Sequence, residues 1–113
     1  MAEIRKENKE GIHVISVFGE IDAGSSIYLD NAFKEALENG EKKIATDLSG
    51  LEYISSAGLG VFISHLEEFK NNEVSLVLFG ISESVKQVFD ILGLEKLLRI
   101  VSSEADALAT FNE

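Results

Sequence analysis

The chain has no cysteine, and so no disulfide framework, thiolate nucleophile or zinc–thiolate site, a composition that fits a reducing cytosol. Positive charge is scarce as well: ten Lys and Arg stand against twenty Asp and Glu, a net charge of -10. Phosphate backbones and anionic membranes are repelled by such a surface, which makes nucleic acid a poor partner. Long apolar runs are missing too. The longest, Val74 to Ile81, is broken by Ser75 and Gly80 and falls well short of the roughly 20 residues that cross a bilayer, so no direct membrane insertion is expected. The opening Met1-Ala2-Glu3-Ile4-Arg5-Lys6-Glu7 is charged and lacks the apolar core of a signal peptide; the expected location is the cytoplasm.

Catalytic groups are few, and reach disposes of the obvious combinations. His13 lies at the opposite end of its strand from Asp22, about 15 to 20 Å from the Ser56 end at 3.3 Å per residue. His65 lies nine positions along a helix from Ser56, about 13 Å of rise. Neither serves as base to Ser56, so a serine hydrolase is disfavoured and both histidines read as ordinary, partly exposed residues. Gly19-Glu20-Ile21-Asp22-Ala23-Gly24-Ser25-Ser26 has two glycines at phosphate-loop spacing, but Ser25 stands where lysine is required and Glu20 and Asp22 repel a triphosphate. Gly58-Leu59-Gly60 lacks the third glycine and the ribose-binding acid of a dinucleotide fingerprint. Asp22 and Asp47 are isolated from any third ligand, so neither metal nor cofactor is expected.

What the chain does contain is a single domain's worth of alternating strand and helix. At 113 residues and 45% hydrophobic content, residues 1–113 suffice for one core. Ile12 to Phe18, Ile44 to Leu48 and Val74 to Phe79 are apolar on both faces, as in a sheet covered by helices. A weak strand around Glu3 to Lys6 is expected to pair at an edge with the strand after Gly11. Leu29, Ala32, Phe33, Ala36 and Leu37 predict a helix from about Ser25 to Asn39, with Gly40 as its left-handed stop. A second helix starts near Ser56 and buries Leu59, Phe62, Ile63, Leu66 and Phe69. A third follows Ser82, burying Val85, Val88, Phe89 and Leu92 before Gly93. After a short strand at Leu98 to Val101, a last helix begins at Ser102 or Ser103 and buries Ala105, Leu108 and Ala109. The order ββαβαβαβα predicts one α/β domain: a mixed, mostly parallel sheet of about five strands packed with about four helices.

Sites in open α/β sheets gather beyond the carboxyl ends of the strands. That edge would hold Gly19-Glu20-Ile21-Asp22, Ser49-Gly50, Ser55-Ser56-Ala57-Gly58 and Gly80-Ile81-Ser82. The central stretch, Asp47 to Gly60, ends a strand, passes through a small-residue turn and enters a helix at two adjacent hydroxyls. By chemistry alone, Ser55 and Ser56 are either helix caps or acceptors of a phosphate that the helix N-terminus would stabilise. Asp22 is either an Asx-turn residue or a partner contact.

Asp47-Leu48-Ser49-Gly50-Leu51-Glu52-Tyr53-Ile54-Ser55-Ser56-Ala57-Gly58-Leu59-Gly60-Val61 resembles the signature of the STAS domain of bacterial anti-sigma factor antagonists, where Asp-Leu-Ser is followed by an apolar pair and Asp-Ser-Ser/Thr/Ala-Gly-Leu-Gly. The Gly19-Glu20-Ile21-Asp22 turn and Gly93-Leu94 resemble two further family motifs, so the likeness spans nearly the whole chain. It implies a STAS fold and a non-enzymatic partner switch. Unphosphorylated, the antagonist binds an anti-sigma factor that is also a GHKL-type serine kinase, which frees a sigma factor. The kinase phosphorylates one serine to break the complex, and a PP2C-type phosphatase restores it. That serine maps onto Ser56, with Ser55, standing where the family usually has aspartate, as the alternative. Gly19, Glu20, Asp22, Ser25, Ser49, Ser55, Ala57, Gly58 and Leu59 map onto the partner-binding surface. The family also includes scaffolds of stress-signalling complexes and soluble accessory subunits of membrane transporters. Neighbouring reading frames distinguish these from the antagonist.

Overall fold

The structure, a computed structural model, describes residues 2–112. Five strands and four helices follow in the order β1 (Ala2–Lys9), β2 (Ile12–Ile21), α1 (Ser26–Glu38), β3 (Lys43–Ile54), α2 (Ser56–Asn71), β4 (Ser75–Phe79), α3 (Glu83–Ile91), β5 (Arg99–Val101) and α4 (Glu104–Phe111), with a 3-10 turn at Leu94–Lys96. The sheet order is β1-β2-β3-β4-β5, antiparallel between β1 and β2 and parallel elsewhere. Glu10 and Gly11, both at positive φ (55° and 80°), make the two-residue hairpin turn that suits the strand twist. Full pairing from Ala2 to Lys9 makes the first strand longer than its weak pattern predicts.

Right-handed crossovers between neighbouring parallel strands put α1, α2 and α3 on one face of the sheet. Ile15, Val17, Ile21, Ile44, Leu48, Leu51, Ile54 and Leu78 meet Phe33, Phe62 and Phe89 of those helices. The rings pack edge-on, with centroids 5.5 Å apart for Phe33–Phe62 and 5.9 Å for Phe62–Phe89. Each such buried side chain contributes about 1.5 to 3 kcal/mol of transfer free energy. On the other face α4 covers only Ile12, Val14, Ala45, Val77 and Phe79, mainly through Ala107, Leu108 and Phe111. Lys9 Nζ ties β1 to this helix by an ion pair to Glu104 at 2.6 Å.

Three helix faces differ from expectation. Ile63 is exposed because α2 turns Phe62 and His65 inward, and Ile63, one step round from Phe62, falls on the solvent side. Leu92 caps α3 beyond its last turn and is also exposed. With Ser103 as cap, α4 presents Ala107 to the sheet and leaves Ala105 and Ala109 outside.

The larger difference is in β3. It does not stop at Leu48 in a turn but runs on to Ile54. Ser16 pairs with Asp47, Phe18 with Gly50, Gly19 with Leu51 and Glu20 with Tyr53, so β3 twice places one extra residue against β2. These two bulges leave Leu48, Leu51 and Ile54 buried on the helix side, while Ser49, Gly50, Glu52 and Tyr53 face outward. A Cβ on Gly50 would lie 2.3 Å from Phe18 Cδ1, so only glycine fits under that ring. β4 pairs with β3 only as far as Asp47 and, among the described residues, β1 pairs with β2 as far as Gly19, so Glu20-Ile21 and Tyr53-Ile54 form a two-stranded ribbon at the end of the sheet.

Candidate functional site

The tip of this ribbon joins two helix entries. The Ser55 N–H donates to the carbonyl of Ile21 at 2.8 Å, which sets the start of α2 beside the β2–α1 loop. Gly58 makes the fit possible, because a Cβ there would come within 2.7 Å of both Ile21 Cγ2 and Ile54 Cγ1. Gly58 and Leu59 are buried and seat the helix.

The two serines have different jobs. Ser55, in extended conformation, is the N-cap: its hydroxyl accepts from the Gly58 N–H at 3.2 Å. Ser56 is the first helical residue and is exposed, and its hydroxyl makes no hydrogen bond to another described residue. The first helical bond runs from Leu59 to the Ser55 carbonyl, so the N–H groups of Ser56 and Ala57 lie outside the intrahelical ladder. A free hydroxyl therefore stands at the positive end of a 16-residue helix.

Asp22 and Ser25 lock the neighbouring loop. Asp22 Oδ1 accepts from the Ser25 N–H and hydroxyl, both at 2.8 Å, and the Asp22 N–H donates to Ser25 Oγ at 2.9 Å. These bonds, the Ser25 backbone N–H first and its hydroxyl second, hold the Asp22 carboxyl below the ordinary carboxylate range. An exposed, ionised carboxylate is thus fixed next to the α2 N-terminus. Ser25 is half-buried and acts on Asp22.

The structure brings Glu20, Asp22, Ser25, Ser55, Ser56 and Ala57 to the tip, with Gly19 one step back on β2 opposite Leu51. It does not bring Ser49. The Ser49 N–H and hydroxyl donate to Asp47 Oδ1 at 2.9 and 2.6 Å, and Ser49 lies against Gly80 at the end of β4. Two exposed residues beside the tip, Glu52 and Tyr53, escape the expected set. The three-residue spacing of Leu48, Leu51 and Ile54 is the signal that could have revealed their outward pair.

Neither histidine approaches Ser56. His13 opposes Ile44 where the parallel strands begin. His65, expected to be partly exposed, is buried: Nε2 lies 2.7 Å from Asp30 Oδ1, Nδ1 lies 3.3 Å from Glu68 Oε1, and the ring stacks on Phe69. Its place between Phe62 and Phe69 on the inner stripe of α2 explains the burial. A groove between β1 and α1, lined in part by Ile4, Tyr28 and Ala32, contains neither Ser55 nor Ser56. Among the described residues no helix is long and apolar enough to cross a membrane.

This arrangement, a mixed sheet with an exposed serine at the first turn of the helix after its central strand, is that of a STAS domain, whose family model matches residues 3–107. The anti-sigma-B factor antagonist of Listeria monocytogenes is 34% identical over 108 residues, covering 92% of this chain and 90% of that protein. The crystal structure of an anti-sigma factor antagonist from Mycobacterium paratuberculosis superimposes with a TM-score of 0.91 at 22% identity, covering 100% of this chain and 96% of that one. The phosphorylated form of the Bacillus cell fate determinant SpoIIAA superimposes with a TM-score of 0.73 at 21% identity, over 96% of this chain and 99% of that one. The chain belongs to the STAS-domain family of anti-sigma factor antagonists.

Proposed function

We propose that the chain is a phosphorylation-controlled partner switch in the cytoplasm. Unphosphorylated, it binds an anti-sigma factor that is also a GHKL-type serine kinase, and the sigma factor is released. The kinase moves the γ-phosphoryl group of ATP to Ser56 Oγ, giving ADP and a proton, and the complex comes apart. A PP2C-type phosphatase hydrolyses the ester and resets the switch. The observation that carries this reading is the division of labour between the serines: Ser55 spends its hydroxyl on the helix, and Ser56 presents a free one. SpoIIAA, similar in fold, has been solved in a phosphorylated form.

The switch acts on the interface. A phosphate on Ser56 adds about -1.5 to -2 charges, and a helix N-terminus offsets such a charge by roughly 0.3 to 1 kcal/mol, so the fold tolerates it. A partner closed over the tip would have to desolvate that dianion beside Asp22. Asp22 and Ala57, both exposed like Ser56, form the contact surface, with Gly58 and Leu59 holding it in place.

Incubation with a GHKL-type anti-sigma kinase and ATP tests the assignment. Intact-mass and peptide mass spectrometry are expected to find one major phosphate, on Ser56, lost in Ser56→Ala and kept in Ser55→Ala. Full labelling of Ser56→Ala would overturn it.

A further inference from the structure

The sheet ends on one side at β1, whose far edge carries no strand among the described residues. The tight Glu10-Gly11 turn makes Lys9 and Ile12 a pair that exchanges both backbone hydrogen bonds, and the alternation of an antiparallel ladder then commits Glu3, Arg5, Glu7 and Lys9 to β2. The N–H and C=O groups of Ile4, Lys6 and Asn8 point the other way, and among the described residues they meet no backbone partner. A groove of about 660 Å³, lined in part by Ile4, Lys6, Tyr28, Asn31 and Ala32, runs between β1 and α1 and leaves room for a further strand. Lys6 Nζ reaches Glu35 Oε2 of α1 at 3.1 Å.

Charge along this edge follows a pattern of its own. Glu3, Arg5, Glu7 and Lys9 stand on the α4 side of the sheet, as the Arg5 guanidinium over Phe18 and the Lys9–Glu104 pair show, and their signs alternate. From Ala2 to Lys9 three bases outweigh two acids, in a chain whose net charge is -10. An antiparallel copy of the same strand meets this pattern sign against sign when Lys6 lies on the two-fold axis: Glu3 then faces Lys9, and Arg5 faces Glu7. A slip of two residues either way sets Arg5 on Arg5 or Glu7 on Glu7. A slip of four restores the signs but shortens the pairing to Glu3–Arg5 or Glu7–Lys9.

We propose that β1 is the docking edge for a second copy of this chain, the two sheets joining antiparallel through Glu3 to Lys9 about a two-fold axis at Lys6. In that register Ile4 exchanges backbone bonds with Asn8 of the second copy, and Lys6 with Lys6 of the second copy. The two Lys6 ammonium groups are balanced by the two Glu35 carboxylates that already hold them. Complementary charge selects this edge, the one strand of a strongly acidic chain where a like-charged copy finds a base for every acid it brings. The dimer goes beyond the Ser56 switch and uses none of its residues, since β2 separates β1 from β3 and the helix that β3 leads into.

The test uses the full chain. Sedimentation equilibrium at about 0.15 M salt is expected to show the mass rising from one chain towards two as the concentration climbs from about 10 μM to about 1 mM. Lys6→Pro removes an outward N–H without touching a bond to β2, so it should fold by circular dichroism and stay monomeric. Arg5→Glu, which sets acid on acid twice, should weaken the dimer about tenfold, and adding Glu7→Arg to it should recover most of that loss. Because the chain has no cysteine, a single introduced thiol reports the register. Lys6→Cys puts two thiols across the axis, with Cα atoms about 5.5 Å apart, and should crosslink under mild oxidation; Asn8→Cys lies about 13 Å along the strands from its copy and should not. Ser56→Glu should dimerise as the unmodified chain does. A monomer at the highest concentration, a dimer unaffected by Lys6→Pro or by Arg5→Glu, or faster crosslinking of Asn8→Cys than of Lys6→Cys would each overturn the proposal. Loss of the dimer in Ser56→Glu would overturn it too, by tying the edge to the switch site, and would leave the switch reading standing.

Discussion

The two sides of β3 beyond Leu48 live by different rules. Inward, Leu51 and Ile54 are almost wholly buried against the helices; outward, one residue away, Glu52 and Tyr53 are exposed. The same few residues of backbone therefore carry core on one side and solvent-facing surface on the other. Changes to the outer side and the tip should leave the fold nearly unaffected, and changes to the inner side should not.

The strongest way to break this contrast is Leu51→Ala. Removing a buried leucine should cost about 2 to 5 kcal/mol, read as a lower urea midpoint at unchanged slope, whereas Tyr53→Ala should stay within about 0.5 kcal/mol. Similar losses for the two would show that the outer side is structural. The two serines sharpen the contrast at the tip. Ser55→Ala removes the Gly58 cap and should lower stability by about 0.5 to 2 kcal/mol, while Ser56→Ala, which removes a free hydroxyl, should stay within about 0.5 kcal/mol. Thermal melts of the pair decide it, and a larger loss at Ser56 would reverse their roles.

The smallest effect concerns acid. The Lys34 ammonium, and after it His65, hold the Asp30 carboxyl below the ordinary range. Because the folded value lies below the unfolded one, this contribution is complete above about pH 4 and is lost as the pH falls through the folded value. Urea unfolding of the unmodified chain and Asp30→Asn should therefore differ at pH 6, and the difference should shrink as the pH is lowered below about 4. A gap that persists in acid would assign the effect to packing around His65.

The regular parts of this fold were legible because their patterns are local. Leu29, Ala32, Phe33 and Ala36 mark α1 at helical spacing, and Gly40 and Gly93 mark helix stops with the positive φ only they adopt easily. The signature around Ser56 was legible for the same reason. The partner that satisfies the buried His65 ring was not, since Asp30 lies 35 residues away on another helix. Nor was the course of β3. Ser49-Gly50 reads as a turn until Phe18 is seen lying across Gly50, and that contact belongs to the pairing of two strands rather than to either one. Ser55 and Ser56 are alike in sequence; only the Gly58 N–H separates the cap from the free hydroxyl.

The two bulges in β3 can be thought of as half-period phase slips in a wave of period two. Either one alone would turn every later side chain of the strand to the wrong side, sending Ile54 outward and lifting the start of α2 off Ile21. Together they cancel: Ile54 returns to the same phase as Ile44, Thr46 and Leu48, and only Leu51, between the slips, is out of step. The pair therefore behaves as one inherited unit. Losing a single residue between Ser49 and Tyr53 should be far more damaging than losing two, one from each slip, even though the shorter chain has lost more.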